Sequence, residues 1–180
     1  MRRSGSPAEV PGTRLKRLAH SIDALAAKDE RFLRRAREIE AVRVAAAVEL
    51  HTICRDFVGS LNRVLSHEKV ALDPEQFSAA SFQKEATNLI QVGVRGRILQ
   101  VAFRTTPELF SSEDFRIPYT LTGSLRAFNQ ELLEQEIIEE QLIFYTLEKQ
   151  TKMWRFFDPR TYRSGTFDQE YLISVMEQLI

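Results

Sequence analysis

The spacing of apolar residues changes once along this chain, near residue 68, and that change limits the folds open to it. Up to that point apolar residues recur every three to four positions; beyond it they alternate every second position in short runs. The first period belongs to a helix with one buried face, the second to a strand with one buried face. The chain therefore predicts an α+β fold. A long N-terminal helix packs on a twisted antiparallel sheet of about five strands, joined by a C-terminal helix.

The helical part divides unevenly. Residues 1–12 carry Gly5, Pro7, Pro11 and Gly12 and little to bury, which predicts a disordered leader. Residues 13–66 are helical, as one helix or two. Thr13 can cap a helix whose Leu15, Leu18, Ile22 and Leu25 fall at helical spacing. That helix ends near Lys28 or runs on, since no Pro or Gly interrupts 13–58. From Glu30 to Ser66 the seam is Phe32, Ala36, Ile39, Val42, Ala46, Leu50, Ile53, Phe57, Leu61 and Val64. Its steps average about 3.5, the spacing of a supercoiled seam. Val48, Cys54, Val58 and Leu65 widen the stripe in the later half. The later half is expected on the sheet, while the earlier half needs another helix. A helix of this length measures roughly 55 Å, against a diameter of about 40 Å for a compact 180-residue chain. Overhang is the expectation, covered by a fold-back of 13–28 or by a second subunit. Gly59, inside the helix, marks a bend or a close approach of another backbone.

Residues 67–180 hold the sheet and share one core with the later helix half. Lys69 to Leu72 is a candidate short strand, and Asp73-Pro74 reads as the start of a helical turn that buries Phe77. Asn88 to Val94 and Arg97 to Phe103 form a hairpin around Arg95-Gly96. Arg116 to Thr122 is a third strand, with Pro118 indicating an edge or a bulge. Residues 125–140 fit a helix, through Leu125, Phe128, Leu132, Leu133, Ile137 and Ile138. Leu142 to Leu147 and Lys152 to Phe157 make a second hairpin over Lys149-Gln150-Thr151. Asp158-Pro159 and Ser164-Gly165 read as turns. Thr166 with Gln169 is a capping box for a last helix whose face is Phe167, Tyr171, Val175 and Leu179, flanked by Leu172 and Met176. The order of elements resembles in topology that of small bacterial secretion chaperones, which are homodimers; no motif carries the likeness and no residue is transferred.

Chemical signatures are sparse. The single Cys54 excludes an intramolecular disulfide and a multi-cysteine zinc site. His51 and Cys54 share a helix face, as a thiol and its base would, yet both flank the seam, where a cysteine is inert. The histidines at 20, 51 and 67 form no HExxH pair, and no glycine-rich phosphate loop or GxSxG occurs. No catalytic residue, cofactor or metal is assigned. Glu131, Glu134, Glu136, Glu139 and Glu140 form an acidic cluster, read as the wet face of an amphipathic segment. The segment Trp154 to Arg163 mixes aromatics with arginines, as single-stranded nucleic-acid sites do.

Charge is zero overall but unevenly placed. Residues 1–70 hold 14 Lys/Arg and 9 Asp/Glu, leaving 11 and 16 for 71–180. No apolar h-region follows Arg2 and Arg3, and no run of 18 apolar residues spans a bilayer, so a cytoplasmic protein is expected. The favoured reading is a non-enzymatic interaction module, adaptor- or chaperone-like, that forms a homodimer or binds another protein through Leu15, Leu18, Phe32, Ile39 and Val42. Two rivals stand: a nucleic-acid-binding protein that uses Arg31, Arg34, Arg35 and Arg37, and an enzyme without a recognisable motif.

Overall fold

A computed structural model describes residues 11–114, 116–129, 134, 139–149 and 151–180. Helix α1 covers Pro11–Val64 as one unbroken element. It does not stop at Lys28, because no Pro or Gly lies between Gly12 and Gly59 and Ala24, Ala26 and Ala27 are strong helix formers. Residues 1–10 of the expected leader lie outside the described residues. Pro11 and Gly12 open the helix, where a missing proline N–H is harmless. The chain divides into two compact units, Met1–Glu38 and Ile39–Ile180. The described part of the first unit is helix alone.

The second unit carries the rest of α1 and a sheet of seven strands, not five. These are β1 Ala71–Asp73, β2 Asn88–Val94, β3 Arg97–Thr105, β4 Tyr119–Phe128, β5 Glu139–Leu147, β6 Lys152–Asp158 and β7 Arg163–Thr166. Their spatial order follows the chain and every neighbouring pair is antiparallel. Helix α2, Gln169–Leu179, follows. Antiparallel neighbours can be joined by tight hairpins, while residues 74–87 and 106–118 make longer connections here. The β2–β3 turn has two residues, Arg95 and Gly96, with φ of 47° and 74°. Positive φ at both places matches the twist of the flanking strands.

Alternation sends Leu99, Val101 and Phe103 of β3, Leu121 and Leu125 of β4, Ile143 and Tyr145 of β5 and Trp154 of β6 into one core. From α1 that core receives Ala46, Ala47, Leu50, Cys54, Phe57 and Val58, and from α2 Tyr171, Leu172, Val175, Met176 and Leu179. The small Ala46 and Ala47 let the Trp154 indole reach the helix backbone, and its Nε1–H donates to the Ala46 carbonyl at 2.8 Å. Gly123 permits the approach of β3. A Cβ there would stand 2.1 Å from the Ala102 carbonyl oxygen. The end of α1 is tied down by Asn62, whose amide donates to the Val70 carbonyl and accepts from the Val70 N–H, at 2.9 and 2.8 Å.

Several local expectations give way to long-range pairing. Leu125 and Phe128 belong to β4, not to a helix, because Leu125 and Ala127 face the core while Arg126 faces outward. Of the rest of that expected helix, 130–133 and 135–138 lie outside the described residues, and 139–140 begin β5. Glu134, within that stretch, is helical. The third strand starts at Tyr119, not Arg116, and sits at the centre of the sheet; Pro118 precedes it, beside a register shift between Tyr119 and Leu121. Asp73-Pro74 opens no helix: Asp73 ends β1, Pro74 and Glu75 form a bend, and Phe77 lies half-buried against His51 and Phe103. Ser164-Gly165 is part of β7, and Asp158-Pro159 begins its connection from β6. Thr166 also lies in β7, so the cap of α2 is Asp168, whose carboxylate accepts from the Tyr171 N–H at 3.0 Å. Gly59 meets no atom within 4 Å of a built Cβ, so no backbone approaches it. Val64, the last seam residue, is exposed.

Candidate functional site

Residues 11–38 of α1 present Leu15, Leu18, Ile22, Leu25, Phe32 and Leu33, each more than half exposed, from 55% for Leu33 to 68% for Leu15. Leu15, Leu18, Ile22, Leu25 and Phe32 are separated by 3, 4, 3 and 7 positions. A helix with that spacing gathers them on one face, and the apolar repeat is that of a two-helix seam. Asp29 occupies the one polar seam position between Leu25 and Phe32. Soluble monomers seldom leave so many large apolar side chains in a row uncovered. The other two predicted contact residues differ. Ile39 and Val42 lie in the second unit and are half-buried, Val42 packing against the core.

Arg31, Arg34, Arg35 and Arg37 are all exposed. At about 100° per residue, Arg31, Arg34 and Arg35 share a sector of roughly 100°, with Arg37 about 60° further round. Residues 11–38 carry eight Lys/Arg and four Asp/Glu, so this stretch is basic. Arg31 Nε is engaged locally, donating to the Ala27 carbonyl at 3.2 Å.

The pair that suggested a nucleophile is part of the core. Cys54 is fully buried, and desolvation pushes its thiol up to about 12. At neutral pH it is a thiol, not a thiolate. The His51 ring donates from Nε2 to the Pro74 carbonyl at 2.8 Å and stacks on Phe77 at 5.7 Å. Both groups serve packing. Next to them, Glu49 is raised above the ordinary carboxyl range by desolvation, against the hydrogen bond from Tyr145 Oη at 3.3 Å. Among the described residues, no three His, Cys, Asp or Glu side chains converge as metal ligands.

Of the acidic cluster, Glu131 and Glu136 lie outside the described residues. Glu134 is exposed and Glu140 pairs with Arg126 at 2.9 Å, Glu139 being placed only as the first residue of β5. In the segment from Trp154 to Arg163, Trp154 is buried, Arg155 binds Glu148 at 3.1 Å, and Tyr162 projects at 81% exposure. The aromatics there do not form a common stacking platform. Phe156 stacks on Tyr171 at 4.0 Å while Phe157 contacts Tyr162 at 6.3 Å, in different pairs.

The most engaged polar residue escaped the sequence reading. Arg43 is 5% exposed and clamps α1 to β4 and to the segment that precedes it. Its Nε donates to Thr120 Oγ1 at 2.7 Å. Its Nη2 donates to the Thr106 carbonyl and hydroxyl at 3.2 and 3.1 Å and to the carbonyls of Glu108 and Leu109 at 2.6 and 3.3 Å. Burial lowers its pKa, opposed by Glu40 at 3.7 Å. The available signal was a charge four residues after Ile39 and seven before Leu50, in line with the buried seam.

No protein-family model matches the chain, and neither a curated protein nor a solved structure does. No helix among the described residues is long and apolar enough to cross a membrane.

Proposed function

We propose that the protein is a non-enzymatic interaction module that self-associates through residues 15–33 of α1. One observation carries this reading: the row of large, exposed apolar side chains at coiled-coil spacing in the first unit. Each would release roughly 1.5–3 kcal/mol on full burial. A second copy supplies the same repeat and so fits the seam without further assumption.

The test is sedimentation of the full chain between about 1 and 100 µM, the range in which a short two-helix contact of roughly 6–8 kcal/mol would appear. The expected result is a concentration-dependent dimer. Leu18→Glu combined with Leu25→Glu should leave a folded monomer, since both positions are exposed within the chain. Asp29→Leu should tighten the dimer about tenfold by removing the polar seam residue. A chain that stays monomeric throughout refutes the proposal, as does a dimer that tolerates both glutamates.

A second reading, nucleic-acid binding through Arg31, Arg34, Arg35 and Arg37, rests on their shared exposure. Salt separates the two. Binding to phosphates weakens steeply as salt rises, whereas pairing of two basic helices strengthens as their repulsion is screened.

A further inference from the structure

The cavity of about 250 Å³ where β5, β6 and β7 meet α2 has a distinctive lining. The geometry points to a binding site there for a small phosphoryl-bearing ligand. The floor is apolar. Phe156 and Tyr171 stack at 4.0 Å with an interplanar angle of 8°, and Val175 lies beside them. Tyr171 Oη donates to the Gln141 side-chain carbonyl and holds that ring in place.

Two guanidiniums line the same space, from Arg160 and Arg163. Among the described residues, the Arg163 side chain makes no hydrogen bond or ion pair. The connection that carries them is held in an unfavourable shape. Tyr162, between them in sequence, has φ of 56°, a left-handed conformation that a bulky residue rarely adopts. Asp158 maintains that shape. Its Oδ1 accepts from the Arg160 N–H at 2.9 Å and its Oδ2 from the Thr161 hydroxyl at 2.8 Å. Backbone held away from its preferred conformation by dedicated hydrogen bonds is a common property of ligand sites.

The charges favour an anion. The Asp158 carboxylate faces the cavity but is already bonded on both oxygens, and Arg160 Nε stands 3.8 Å from it. Asp158 and Arg160 offset each other, and Arg163 adds a positive charge to the lining. Arginines meet phosphoryl oxygens with paired N–H donors. Ser174 and Gln178, one helical turn apart on α2, add a hydroxyl and an amide. The Ser174 hydroxyl donates to the Tyr171 carbonyl at 2.8 Å, so its lone pairs remain for a protonated phosphoryl oxygen. The ring pair and Val175 suit an apolar group attached to the phosphate.

The full chain is titrated, by amide chemical shifts, with inorganic phosphate and with phenyl phosphate at fixed ionic strength. Saturable shifts are expected at 141, 160–163, 174 and 178, in the millimolar range for phosphate and about tenfold tighter for the ester. Equal affinity for the two probes would point to a free-phosphate site and overturn the assignment of an apolar extension. Arg163→Gln, at an exposed position, should weaken both probes at least tenfold, and Arg63→Gln, in the last turn of α1, should change neither. Shifts that follow ionic strength with any anion, acetate that binds as well as phosphate, or an unchanged response in Arg163→Gln each overturn the site.

Discussion

Replacing Arg43 by Met keeps most of the aliphatic stem and removes the guanidinium, and its cost can be worked from the contacts. Nε and Nη2 together serve five acceptor atoms on Thr106, Glu108, Leu109 and Thr120. Hydrogen bonds to a charged group contribute roughly 1.5–3 kcal/mol each, but these share two donor nitrogens and do not add. Two carbonyls also keep other donors: Glu108 retains the Thr106 hydroxyl at 2.7 Å and Leu109 the Thr120 hydroxyl at 2.7 Å. The Thr106 carbonyl loses its Arg43 donor in a residue only 3% exposed. Glu40 keeps Lys84 at 3.3 Å and is not stranded. Against these losses stands relief from burying a cation, which is several kcal/mol. The balance is a destabilisation of about 3 kcal/mol, at the low end for breaking a buried charged network. Arg43→Lys should recover only part of it, about 1 kcal/mol, because one ammonium cannot span Thr120 and Glu108 together. Urea unfolding at neutral pH, followed by Trp154 fluorescence, measures both variants and should show an unchanged m-value. A loss below about 1 kcal/mol for Arg43→Met, or full rescue by Lys, would refute the clamp as a source of stability.

Gly123→Ala should destabilise by about 3 kcal/mol or more, seen in the same urea experiment, because its Cβ would sit 2.8 Å from Phe103 Cα as well as against the Ala102 carbonyl. Cys54 should resist thiol reagents in the native protein and react promptly in denaturant, its thiol being buried and raised to about 12; fast native labelling would contradict the placement. Asp158 should make stability depend on acid pH. Burial raises its carboxyl, but hydrogen bonds from Arg160 and Thr161 outweigh that and hold it below the usual range. A depressed carboxyl stabilises the fold above its unfolded pKa of about 3.9, and this is lost as pH falls toward the folded value. Asp158→Asn should therefore cost stability near neutral pH and progressively less below about pH 4, read from unfolding free energies across pH. A penalty independent of pH would show that the carboxylate charge is not involved.

Elements set by neighbours in sequence were legible before the structure. The β2–β3 hairpin follows from two alternating runs around Arg95-Gly96, and the buried face of α2 follows from the repeat of Tyr171, Val175 and Leu179 flanked by Leu172 and Met176. The exposed row on α1 was equally visible, since the 3.5 spacing of Leu15, Leu18, Ile22 and Leu25 is a local property. Leu125 to Phe128 misled because apolar residues three apart match a helix face, whereas in β4 these two lie on opposite faces and the buried alternation is Leu125 with Ala127. Pairing of β4 with both β3 and β5 settles that ambiguity over eight register pairs on each side.

For this chain, apolar period and turn chemistry alone determined that a long helix precedes an antiparallel sheet and that a short amphipathic helix closes it. These choices depend on interactions between residues a few positions apart. Tertiary structure decided the rest. It placed β4 at the centre of the sheet, recruited Ser164 and Gly165 into an edge strand, buried Arg43, and brought Arg160 and Arg163 to the cavity beside Ser174 and Gln178. Each of those outcomes depends on partners distant in sequence. Arg43 meets Thr120 across 77 positions, and a charge is tolerated in a core only where such partners satisfy its donors.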